Sequence, residues 1–310
     1  MKFLKPLLRL SKPSAKADPV ETVQTPAGLP QTFKPIKRPK KTQKQIDFDK
    51  DHVLPQDWED IEENLQYLAH QTLAGWYSSR CIQNAGSEFE HGDTDRALTY
   101  LDLAAKTAAA HFASSQDLRP HPIDHNGRDY PVISQRTNDR VSAAGWQDGV
   151  HVAIILRNEP ILKSLLEVPE AHMRTDVNPC SEFHYSYARF LTAMYDEHAD
   201  LGAALIAFNE DLAPDKVPDD AQTYVDRIMS PLAVLYRTIF SPDNDAFNAA
   251  LYDALAEHNA FWGHADNRFD GTGCVAWPIV AACTVACSSR DKTITVSSDY
   301  LPMSLVAGVV

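Results

Sequence analysis

A run of nineteen residues, Gly271 to Ser289, carries no charged side chain. A stretch of that kind has to be shut away from water, either in a bilayer or in the middle of a protein. Two glycines, Pro278, two threonines and two terminal serines cut its apolar part to about 14 residues, short of the ~20 that cross a bilayer. The sequence therefore predicts a buried core helix and no transmembrane segment. Such a helix needs apolar faces around it on several sides.

The rest of the chain offers those faces as helices. Only 12 glycines interrupt its 310 residues, and alanine and leucine, good helix formers, are frequent. Asp57 is a candidate N-cap, followed by acids where a helix dipole favours them. Ile61, Leu65, Leu68, Thr72 and Trp76 then read as one buried helical stripe. A helix from Asp93 to Ser114 carries Ala97, Leu98, Leu101, Ala104, Ala105, Ala108 and Phe112 on one side, suited to close helix approach. Asp124-His125-Asn126-Gly127 is a hairpin-turn signal between Ile123 and the Tyr130, Val132, Ile133 run. Helical patterns resume over 137–156, 160–167, 181–198, 201–212, 221–240, 245–262 and 275–288. Short loops between them predict antiparallel neighbours. The expected fold is all-α: an irregular array of antiparallel helices with one small β-hairpin excursion.

Charge divides the chain in two. Residues 1–44 hold eleven Lys/Arg and two acids, a net +9, so the remainder must carry −22 to give the formal total of −13. Residues 1–45, rich in proline, read as a disordered basic arm, and 46–310 as one helical domain. The Lys34–Lys41 cluster makes the arm a candidate for touching nucleic acid or an anionic membrane. With Phe33 and Phe3 as its sole aromatics, the arm reads more simply as a solvated tail. Its deletion is expected to leave the fold intact. Lys5, Pro6 and Arg9 interrupt what would otherwise resemble a secretory leader. The five cysteines, an odd number in a long chain, read as buried free thiols in a reducing, cytoplasmic setting.

No arrangement of residues points to catalysis, a cofactor or a metal. Gly271, Gly273 and Ala276 match a dinucleotide fingerprint in spacing, but HADNRFD stands where that fingerprint needs a hydrophobic strand. His121 with His125, or Cys283 with Cys287, would need metal ligands from elsewhere. His184 and His258 lie in helical patterns beside aromatics and read as core or interface histidines. Trp146, Tyr185, Tyr187, Phe190, Tyr195, Phe247, Trp262 and Trp277 fall at helical spacing and read as core.

The order of elements after Pro231 is distinctive: Pro231-Leu-Ala-Val-Leu-Tyr236-Arg, then Phe247-Asn-Ala-Ala-Leu-Tyr-Asp-Ala-Leu255, then His258 with Phe261-Trp262. The uncharged Val275–Cys283 helix and Ser298-Asp-Tyr-Leu-Pro302 complete it. Upstream stand the hairpin, a helix with Trp146, and a short helix ending Leu165-Leu166-Glu-Val168-Pro169. This pattern, over roughly residues 57–306, resembles the immunity protein 49 family of bacterial polymorphic-toxin systems. The resemblance implies an all-helical inhibitor that binds the C-terminal toxin domain of a cognate effector and supplies no catalytic residue.

The charge of the body fits such a role, since it repels nucleic acid and attracts a basic partner such as a nuclease. The acidic loop residues Asp215, Asp219, Asp220, Asp243, Asp245, Asp266 and Asp270 are the candidate contacts. The rival expectation is a helical adaptor for another partner.

Overall fold

The structure is a computed structural model that describes residues 33–70, 73–135, 141–175, 179–264, 267 and 270–308. Its described course begins with an extended strap, residues 33–41, leading to helix α1 (Gln43–Phe48), where Thr42 and Gln45 form a capping box. A π-helical turn, Asp49–Val53, joins α1 to α2 (Leu54–Leu65). The chain then turns through Gln66–His70 and forms α3 (Leu73–His91) and α4 (Thr94–Asp117), an antiparallel pair. The stripe expected to run unbroken from Ile61 to Trp76 is therefore two pieces. The chain turns after Leu65, the next helix starts with a new phase, and Trp76 is left 40% exposed; Thr72 lies outside the described residues.

Helix α3 is the element that sequence reading missed beyond Trp76. Ser78, Ser79, Asn84 and Ser87 dilute its apolar period. Inside the fold Ser78 donates to the Ala104 carbonyl of α4 at 3.0 Å, so a small polar side chain is satisfied where an apolar one was expected. Gly92, at φ 84°, turns the chain between the two helices. Asp93 caps α4 by accepting from the Arg96 amide at 3.0 Å. The alanine-rich face of α4 is buried as expected, apart from the partly exposed Leu98.

Strands β1 (His121–His125) and β2 (Arg128–Val132) pair antiparallel with Ile123 opposite Tyr130. Asn126 and Gly127 both have positive φ, which makes the type I′ turn that the Asn-Gly pair favours. Helix α5 (Ala143–Ile155) follows, capped by Ser142, with residues 137–140 of the expected helix outside the described residues. Trp146 of α5 is fully buried and donates its indole N–H to the Leu165 carbonyl at 2.7 Å. Leu165 belongs to α6 (Glu159–Leu166), which is followed by the single turn α7 (Glu170–Met173).

Helices α8 (Glu182–Ala193) and α9 (Leu201–Asp211) form the next pair, joined through the stack of Tyr187 on Phe208 at 4.8 Å. A continuous helical run then covers α10 (Gln222–Tyr224), a π-helical turn (Val225–Met229) and α11 (Ser230–Ile239). It packs antiparallel to α12 (Asn244–Trp262). A 3-10 turn (Gly271–Cys274) leads into α13 (Trp277–Ser289), and α14 (Met303–Ala307) closes the described chain.

The uncharged run is the middle of the molecule. By length and mean hydropathy alone Gly271–Ser289 would pass for a membrane span, but 78% of its 18-residue apolar window is buried inside the protein. It packs against α5, α11 and α12. The fold is all-α with a single two-stranded hairpin among the described residues.

Residues 33–42 do not behave as the end of a solvated arm. Ile36 is 7% exposed and pairs in parallel with Ser298. Its amide donates to the Ser297 carbonyl at 3.0 Å, and its own carbonyl accepts from the Asp299 amide at 3.1 Å. The prolines and lysines that made this stretch look unstructured alternate with residues that anchor it. The arm before residue 33 lies outside the described residues.

Candidate binding surface

The acidic loop residues divide between two ends of one helical hairpin. Helix α12 is 19 residues long, which separates its ends by about 28 Å at 1.5 Å per residue. Asp243 and Asp245 stand at its start and Asp270 lies beyond its end. The loop with Asp215, Asp219 and Asp220 leads into the antiparallel run 222–239. At that end Tyr224 meets the Phe261 ring edge-on at 6.0 Å, and Arg227 pairs with Glu257. The fold thus brings the 213–221 loop to the Asp270 end and holds Asp243 and Asp245 away from it. Asp266 lies outside the described residues.

These carboxylates also differ in what they already do. Asp243 caps α12, accepting from the Asp245 and Ala246 amides at 2.9 and 3.0 Å. Asp245 is exposed in the first turn, where the helix dipole favours an acid. Asp270 accepts from the Thr272 amide at 2.8 Å and from Gln83 at 3.2 Å. The side chains of Asp215, Asp219 and Asp220 are exposed and take no partner among the described residues. Buried Leu212 and Val217 fix their loop to the body. Of the described candidates, these three and Asp245 are free to meet a ligand without giving up a side-chain bond, and the three share one loop.

A second acidic face was not legible as one in the sequence. On α2, Asp57 is tied to Arg80 at 2.7 Å and Glu62 to His125 at 3.0 Å, whereas Glu59, Asp60 and Glu63 point outward. Tyr67, just beyond α2, is 41% exposed and Trp76, near the start of α3, is 40% exposed. Exposed aromatics together with exposed acids, of which Asp60 accepts from Gln56 at 2.8 Å, are the composition of a protein contact. The break after Leu65 is what turns Trp76 outward, and no local signal marked that break.

The histidines and cysteines that the sequence offered for chemistry sit in structural contacts. His121 lies 3.0 Å from both oxygens of Asp117. His258 is buried, donates to the Gly273 carbonyl at 3.0 Å, and is held neutral by burial, its pKa lowered to about 4. His184 bonds to Gln147 at 3.0 Å. Burial pushes the Cys283 thiol well above its ordinary range. The two glycines of the fingerprint-like sequence allow close packing. A Cβ at Gly271 would lie 2.5 Å from the Gln83 carbonyl oxygen, and one at Gly273 would lie 2.5 Å from the Trp262 ring.

The distinctive C-terminal pattern is built into these contacts. Asn248, from the Phe247–Leu255 segment, is 2% exposed and clamps the extended chain after α13. It donates to the Thr293 carbonyl at 2.8 Å and accepts from the Thr295 amide at 2.7 Å. Tyr300 donates to Asn259 at 2.8 Å. The family model of Immunity protein 49 matches residues 91–305. The chain belongs to the Immunity protein 49 family. No curated protein and no solved structure matches it. The matched residues of this immunity-family chain run from the α3–α4 turn into α14 and include every acidic loop considered above. The strap, α2 and nearly all of α3 precede them.

Proposed function

We propose that the chain is an immunity protein that binds the toxin domain of a cognate effector and neutralises it by covering its active site. Membership of the Immunity protein 49 family carries this reading. The three unpaired carboxylates of the 213–221 loop and the acidic outer face of α2 support a partner with a basic surface, as a nuclease presents to nucleic acid. Opposite charge speeds the encounter, and burying the toxin's basic groove excludes its substrate. No group of this chain needs to react.

Co-expression of the chain with the toxin domain encoded beside its gene tests the reading. Rescue of growth, with a stoichiometric complex on purification, is the expected outcome. Continued toxicity with both proteins present and folded would overturn it.

A further inference from the structure

The α3–α4 turn and the π-helical segment between α1 and α2 line an open cleft of about 610 Å³. Its inner wall contains Glu88, which the buried stripe of α3 carries inward along with Ala74, Tyr77, Cys81 and Ala85. Glu88 is 2% exposed, and its Oε1 has no hydrogen-bond partner. The nearest cation, Arg96, stands 3.9 Å away, too far for a hydrogen bond. Its guanidinium lies over the Trp58 ring, 5.3 Å from the centroid. The other charged groups around the cleft are Asp93 and Asp95 of the α4 start, Lys50 and His91. Asp93 is occupied as the cap of α4. His91 faces Asp49 at 3.3 Å and bonds to the Ser87 carbonyl at 2.7 Å.

A buried carboxylate oxygen whose lone pairs accept no hydrogen bond is a cost to the free protein. Burial raises the Glu88 pKa to about 7, with Arg96 opposing the rise. An ammonium or guanidinium entering the cleft would give the carboxylate the hydrogen bond it lacks, at an oxygen that the fold keeps from water. Asp95 is exposed at the rim and favours the approach of the same charge.

We propose that this cleft is the receptacle for one lysine or arginine side chain of the bound partner, with the Glu88 carboxylate as its acceptor. The inference rests on the immunity reading for the identity of the partner. The chemistry of the cleft stands apart from it and can be tested without the partner.

In the free protein, n-propylguanidinium serves as the side-chain probe. Its addition is expected to lower the Glu88 titration midpoint, followed by the carboxyl ¹³C signal, and Glu88→Gln should abolish the amide shifts it causes around Gly92. Absence of both effects overturns the proposal, whatever the chain does to a toxin. In the complex, Glu88→Gln is expected to raise the melting temperature of the free protein at pH 8 while weakening partner affinity about 30-fold or more. A merely structural glutamate would not give that opposite pair. Asp95→Lys, an exposed change that leaves Glu88 in place, should also weaken the complex. Unchanged affinity in both variants overturns the proposal. Failure of the wild-type chain to bind any toxin domain would instead overturn the immunity reading.

Discussion

Arg38 reaches across the molecule to within 3.5 Å of Glu90, and the two side chains are only 12% and 13% exposed. The same guanidinium donates to the carbonyl oxygens of Cys274 and Asp299. Lys41 completes the cluster by pairing with Glu90 and with Asp49, each at 2.8 Å. The end of the basic arm is therefore a clip between α3 and the C-terminal extended segment.

Deleting residues 1–44 removes Ile36, Arg38 and Lys41 together and strands the Glu90 carboxylate. Breaking a buried pair from one side costs about 3–5 kcal/mol. Urea unfolding should show a loss of that size for the deletion and a smaller one for Arg38→Ala, which leaves Glu90 paired with Lys41. Deletion of residues 1–32 removes none of these contacts and should leave the midpoint unchanged. Equal stability of all three variants would refute the clip, and would restore the simpler expectation that the whole arm is dispensable.

Asn248→Ala leaves the Thr295 amide without its partner and the Thr293 carbonyl with Asn244 alone, at 3.1 Å. An unsatisfied buried polar group costs about 1–3 kcal/mol, so thermal melting should shift clearly downward. Hydrogen exchange should increase at Thr295 before it increases in α13. Uniform exchange across both segments would show that the clamp is not local.

The fold should weaken in mild acid. His151 and His258 are 3% and 4% exposed, and burial lowers their pKa values to about 3 and about 4 from 6.5. Below pH 6.5 the unfolded chain takes up protons that the folded chain refuses. Each histidine then removes up to about 1.4 kcal/mol per pH unit, until the pH reaches its folded value. Glu88 acts in the opposite sense. Its folded pKa of about 7 lies above the ordinary 4.5, so its contribution is complete below pH 4.5 and is lost as the pH rises to 7. Replacing His258 with Gln should flatten the acid side of the stability curve, and Glu88→Gln the neutral side. Unfolding free energies measured between pH 4 and pH 8 check both signs.

The acidic loops should separate in mutagenesis. Charge reversal of Asp215, Asp219 and Asp220 is expected to leave the melting temperature within a degree or two, since exposed charges away from caps change stability little. It should reduce toxin affinity and the salt dependence of association. Reversal at Asp243 is expected to cost about 1 kcal/mol of stability through the lost cap. If the triple reversal leaves both affinity and its salt slope unchanged, that loop is not part of the contact.

Gly86 faces the carbonyl oxygen of Gly271 at a distance no side chain could share. Gly86→Ala must push the 3-10 turn away from α3, at about 1–3 kcal/mol for an overpacked contact. Calorimetry on this variant tests whether that approach is as close as the structure has it.

Much of this was legible from the residues alone. The uncharged Gly271–Ser289 run could be placed in the core because its glycines, Pro278 and polar ends leave an apolar part shorter than a bilayer span. The Asn126-Gly127 turn fixed the hairpin, and the alanine face of α4 showed where another helix approaches. Helix α3 escaped notice because Ser78, Asn84 and Glu88 sit on its buried side, where an apolar period was expected. Glu88 could have been found by following that stripe at three- and four-residue steps from Tyr77.

By itself the sequence determined the helical class, the buried central helix, the split of charge and the family, because each depends on local period, composition or the order of segments. Tertiary structure alone decided which charges remain free. Asp57, Asp243 and Asp270 look in the sequence like Asp215, Asp219 and Asp220, yet the first three are bonded within the fold and the last three are not. The same holds for the basic arm, whose Arg38 meets Glu90 and Asp299 from distant parts of the chain. A charge acts through what lies within a few ångströms of it, and folding, not sequence separation, sets that distance.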